Sequence, residues 1–147
     1  MMEIIENIRL SERMYSIRFA NERYDHFYRN CVFPINFGLD QVEKYIVDSL
    51  NILKDTLKIV DSTNILIMDG FKHASEEVAF TFIDAHWTDA EQYIVELKDT
   101  NKVEYITLIT NVETELAAIK QFVKTEFPNT EFTIDYYDEA WVVKPQK

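Results

Sequence analysis

Carboxylates close most of the apolar segments of this chain, and carboxylates that converge in space hold hard cations. Asp69 follows Ile65-Leu-Ile-Met68, and Asp84 follows Phe80-Thr-Phe-Ile83. Thr110-Asn111 ends another segment, and Asp135 with Asp138 ends the last. If the segments were neighbouring parallel strands, these groups would gather on one edge, where oxygen ligands suit Mg²⁺. No spacing in the sequence enforces that convergence, so no metal site is assigned and no cofactor is expected.

Histidine occurs only at 26, 73 and 86. No two of them are four residues apart as on a zinc-binding helix, and no CxxC completes such a site. His73 and His86 lie near segment ends, so acid–base pairing with Asp69 or Asp84 is geometrically conceivable. A local hydrogen-bonding role is the simpler reading for each. Ser75 has no GxSxG context, which disfavours a nucleophile-elbow hydrolase. With glycine only at 38 and 70, neither a P-loop nor a dinucleotide fingerprint can be written. Cys31, the lone cysteine, sits in Cys-Val-Phe-Pro and reads as a small core hydrophobe.

The C-terminal run Asp135-Tyr-Tyr-Asp-Glu-Ala-Trp141 interleaves acids with aromatics. Such a surface grips basic residues of a protein partner, although Trp141 and a tyrosine could instead cover a sheet edge. The residues nominated for ligand or partner binding are therefore Asp69, His73, Ser75, Asp84, Asp138, Glu139 and Trp141, with no catalytic residue among them.

Composition narrows the partner. The chain has 147 residues, 26 acids against 15 bases and a net charge of −11. Phosphate neutralisation, and with it nucleic-acid binding, is disfavoured. All five arginines fall before residue 30, whereas the middle third is the acidic surface that a basic protein partner would meet; the simpler reading is that these acids keep the chain soluble. No apolar run approaches membrane-spanning length and no signal-like segment opens the chain, so a cytoplasmic protein is expected. Oligomeric state is not legible.

These groups must be positioned by a framework. Residues 13–19 alternate apolar and polar, as a half-exposed strand does, and 24–33 supplies a hairpin partner. Leu39, Val42, Ile46, Leu50, Leu53 and Leu57 form one apolar stripe, predicting a helix over 40–58 capped by Asp40 and Glu43. Asn64-Ile-Leu-Ile-Met68 reads as a strand buried on both faces. Residues 78–83 favour strand over helix by their aromatic and β-branched content. Thr88-Asp-Ala-Glu91 has the form of a capping box and predicts a helix to about Asp99. Strand 103–109, helix 112–126 and strand 131–135 then form a βαβ crossover. The expected fold is one α/β (or α+β) domain: a single mixed sheet with about three helices packed on it and one βαβ unit.

That order of elements resembles the STAS or SpoIIAA-like family of small cytosolic α/β domains. The likeness rests on the N-terminal strand pair, Phe33-Pro-Ile-Asn-Phe-Gly-Leu-Asp-Gln-Val entering a helix, and Ile65-Leu-Ile-Met-Asp69 with its loop to Ser75. Tyr105-Ile-Thr-Leu-Ile-Thr110 and Asp138-Glu-Ala-Trp141 complete it. The resemblance implies a regulatory scaffold with a phosphorylation or ligand site at Asp69 and Ser75. The family's Asp-Ser-Ser/Thr-Gly-type loop is absent, because Glu76 and Glu77 follow Ser75. The function expected is a non-catalytic protein-binding or regulatory module. An immunity-type inhibitor of a basic enzyme and a small enzyme using segment-end carboxylates are the alternatives.

Overall fold

A computed structural model describes residues 12–19, 27–73 and 86–145. Among the described residues, six strands and two helices follow in the order β1 (Glu12–Phe19), β2 (Phe27–Pro34), α1 (Leu39–Leu50), β3 (Leu57–Ile67), β4 (Trp87–Asp99), β5 (Lys102–Asn111), α2 (Leu116–Glu126) and β6 (Glu131–Val143), with a 3₁₀ turn at Lys54–Thr56 before β3. The strands close into a barrel in the order β1-β2-β6-β4-β5-β3. The expected α/β sheet with three helices is therefore wrong, and so is the architecture that the family resemblance implied.

The barrel is two antiparallel three-stranded sheets joined by short seams. One sheet is β2-β1-β3 and the other is β6-β4-β5. The seams are parallel: Asn30–Val32 of β2 against Ala140–Val142 of β6, and Ile65–Ile67 of β3 against Thr107–Ile109 of β5. Beyond these three-residue joints no ladder links the two sheets among the described residues. A bulge lies on that unjoined side of each sheet. Ser16 faces Asp61 but Ile17 faces Ile59, leaving Val60 unpaired. Gln92 faces Asp138 but Tyr93 faces Tyr136, leaving Tyr137 unpaired. An extra residue bends its strand and sharpens its twist, which accounts for β6 parting from β2 just before the seam.

Between the seams the interior is apolar and closed. Met14, Val32, Ile65, Ala90, Ile109, Ala140 and Val142 fill it. Away from the seams the same row of β5 opens to solvent, where Tyr105 is 63% exposed. On the outer surfaces each helix covers one cluster. Val42 and Ile46 of α1 pack on Tyr15, Ile17, Phe19, Cys31, Phe33, Trp87 and Trp141. Ile119, Phe122 and Val123 of α2 pack on Val95, Leu97, Ile106 and Leu108. Burial raises the Cys31 thiol well above its ordinary pKa, consistent with a core residue.

Several element boundaries differ from expectation for local reasons. Helix α1 ends at Leu50, short of residue 58, because Asn51 turns left-handed at φ 54 and closes the helix with its N–H on the Val47 carbonyl. Leu53, read as part of the helical stripe, is 75% exposed, and Leu57 opens β3. The N-terminus is capped by Gly38, whose N–H donates to Gln41 Oε1 at 2.8 Å, and not by Asp40 with Glu43.

The segment 88–99 is a strand and not a helix. Tyr93, Val95 and Leu97 face α2 while Ala90 and Gln92 face the interior, so period two prevails over the capping-box pattern. The βαβ unit fails as well, because β4 lies between β5 and β6 and pairs with both. Strand β3 is not buried on both faces: only Ile65 is fully covered. The segment 78–83 lies outside the described residues.

Candidate functional site

The nominated residues do not assemble into one site. Asp69 is exposed in the turn after β3, where Gly70 takes φ 79. Ser75 and Asp84 lie outside the described residues. His73 sits against β4, its Nδ1 3.2 Å from Thr88 Oγ1, with the Phe71 ring edge-on at 5.2 Å. His86 is held elsewhere, beneath Tyr45, whose hydroxyl donates to the His86 carbonyl at 3.1 Å. No group of three metal-ligating side chains occurs among the described residues.

His73 does line a cavity of about 170 Å³ at the seam end of the barrel. Val32, Ile67 and Val142 contribute apolar walls, and Glu12 and Lys144 line it with His73. An engineered apolar cavity of similar size holds one benzene, so this space fits a small group and not a cofactor. Burial, then the charge of Lys144, lowers the His73 pKa below the ordinary histidine value. The folded chain therefore binds this proton less readily than the unfolded chain. Stability from this residue is complete above a pH of about 6.5 and declines as pH falls below it. His73→Gln is expected to flatten the acid limb of a stability–pH curve, and an NMR titration of the His73 ring should find a midpoint below that of a free histidine. A midpoint above it would contradict the partial desolvation of this ring and its closeness to Lys144.

Asp138, Glu139 and Trp141 do lie together, but with unequal roles. Trp141 is only 6% exposed, with its ring 5.7 Å from Trp87. It lies among the core residues that α1 covers. The Arg29 guanidinium lies 4.6 Å above the Trp141 ring and its Nη1 donates to Glu139 Oε2 at 3.2 Å. Trp141 thus serves the surface indirectly, by seating Arg29. Asp138 is exposed, and its Oδ1 accepts the Glu139 N–H at 2.7 Å.

Around this pair the structure gathers groups that sequence spacing did not connect. Glu91 pairs in register with Glu139, and Tyr93 donates to Glu91 Oε2 at 3.4 Å. Tyr93 and Tyr136 meet edge to face at 5.6 Å. Both phenols are shifted upward in pKa. Desolvation is the first cause for each, followed for Tyr93 by Glu91 and for Tyr136 by Glu139, Glu91 and Asp138. An anion placed beside these carboxylates is disfavoured, and a cation is favoured by the same field.

The acidic character extends along β6. Glu131, Asp135, Asp138 and Glu139 fall within nine residues that contain no base. Glu139 meets Arg29, while the other three form no ion pair among the described residues. Tyr137, the bulged residue, is 64% exposed beside them. The signal legible in sequence was the Asp-Tyr-Tyr-Asp-Glu run; its position on a strand with an open side was not.

Compared with protein-family models, curated proteins and solved structures, the chain shows no significant match. No helix among the described residues is long and apolar enough to cross a membrane.

Proposed function

We propose that this chain is a non-catalytic protein-binding module that holds a basic segment of a partner on the acidic, tyrosine-bearing surface of β6. The observation that carries this reading is the run Glu131–Glu139, which has four acids, no base and two exposed tyrosines. Exposed carboxylates of one sign draw a cationic partner into encounter and fix its register. Tyrosine supplies contact area at little entropic cost because it has few rotatable bonds. An inhibitor that masks a basic enzyme would use the same surface against a catalytic partner.

The competing reading, a small enzyme, would place its chemistry on Glu12, His73 and Lys144 at the seam-end cavity. Of the carboxylates that first suggested an enzyme, Asp69 is not among the residues lining that cavity, and Asp84 lies outside the described residues.

Asp135→Lys/Asp138→Lys tests the binding reading, since both residues are exposed and their replacement leaves the core untouched. A lysine-rich hexapeptide is expected to bind the native chain, to weaken as salt rises, and to bind the variant at least ten times more weakly. A glutamate-rich hexapeptide should not bind either protein. Equal affinity of native chain and variant for the lysine peptide, measured by calorimetry, would remove β6 as the surface.

A further inference from the structure

Among the described residues, β6 is paired on one side only along Glu131–Glu139. Its ladder to β4 runs through this stretch, while β2 joins it only at Ala140–Val142. The side away from β4 therefore presents backbone N–H and C=O groups with no strand partner among the described residues. Such an edge is a template for another strand.

The two rows of β6 side chains differ. Phe132 and Ile134 pack toward α2, and Tyr136 continues their row beside Tyr93. Glu131, Thr133 and Asp135 occupy the opposite face and are exposed. Beyond the bulge, Asp138 continues the acidic row opposite Gln92. A strand laid beside β6 would alternate in the same way, each of its rows lying over one of these. One row would extend the apolar cluster under α2, and the other would meet carboxylates. The edge of β5 away from β4, by contrast, begins with Lys102 and Glu104 and carries no such bias of charge.

Resting on the function proposed above, we infer that β6 takes an extended segment of its partner as an added strand, and that the segment alternates basic with apolar residues over about six positions, from Glu131 to the bulge at Tyr137. The bulge limits the length, because a bent strand interrupts a straight ladder.

Two hexapeptides of one composition test this, acetyl-Lys-Val-Lys-Val-Lys-Val-amide and acetyl-Lys-Lys-Lys-Val-Val-Val-amide, titrated into the ¹⁵N-labelled full chain. The alternating peptide is expected to bind at least fivefold more tightly and to shift amide signals concentrated in 131–137. Equal affinities would overturn strand addition and leave the acidic-surface reading standing. Binding of neither peptide would overturn both. Shifts centred outside β6, or shifts at 131–137 that depend on protein concentration without peptide, would also overturn the inference. The last result would identify a second copy of the chain as the occupant of the edge.

Discussion

Trp141→Ala is expected to lower the free energy of unfolding by about 3–5 kcal/mol, the range for truncating a buried aromatic. The indole is almost wholly buried, stacks near Trp87 and lies in the cluster that α1 covers. Its removal would open a cavity at the point where β6 joins β2, since Trp141 is paired with Cys31 in that seam. A loss of this size is a large share of the roughly 5–15 kcal/mol that stabilises an ordinary domain. Glu139→Ala provides the contrast. It breaks one ion pair whose acid is largely exposed, so its cost should stay below about 1 kcal/mol. Urea unfolding followed by circular dichroism measures both. A Trp141→Ala midpoint equal to the native one would return this residue to the surface role suggested by its sequence neighbours.

A second large effect is expected inside the barrel. Ser16 Oγ donates to Asn30 Oδ1 at 2.8 Å, and Asn30 Nδ2 donates to Gln92 Oε1 at 2.7 Å. This chain of polar groups links β1, β2 and β4 across an otherwise apolar interior, with Asn30 and Gln92 both buried. Asn30→Leu strands a partner on either side, at about 1–3 kcal/mol for the buried Gln92 amide and less for the half-buried Ser16 hydroxyl. The double variant Asn30→Leu/Gln92→Leu removes the donor and acceptor together and should recover part of that loss. The coupling between the two positions, obtained from a double-mutant cycle, is therefore expected to be non-zero. Strict additivity would mean that water or another partner satisfies the groups.

The parts of the fold that sequence made legible are those whose period is set by one neighbour. Alternation in 13–19 located β1, and the stripe Val42–Ile46 located the body of α1, because each has one apolar and one wet face. Residues 88–99 misled because two signals overlap there. Thr88 and Glu91 are spaced like a capping box, yet Glu91 hydrogen-bonds the Glu113 N–H and β4 pairs on both sides. Tertiary partners on both edges override a local helix signal. Barrel closure was invisible for a related reason. The seams carry ordinary residues such as Asn30, Ala140, Thr107 and Ile65, and nothing in their types announces which strand they join. The acidic tyrosine run was legible as a surface, whereas Trp141 in the same run was not separable from it. Bulk apolar character alone does not tell a core tryptophan from a contact tryptophan.

The short seams also divide the molecule in folding order. Strands β1 with β2 and β4 with β5 pair across nearby chain, so each sheet contains contacts that close small loops. Joining β6 to β2 is different: Arg29 and Glu139, beside that seam, are 110 residues apart. Loop closure costs more entropy as the enclosed chain lengthens, and non-local strand pairing slows folding. The other joints enclose shorter stretches of chain, so the barrel is completed by its most distant encounter, and Cys31 meeting Trp141 across the β2–β6 seam is the contact that marks it.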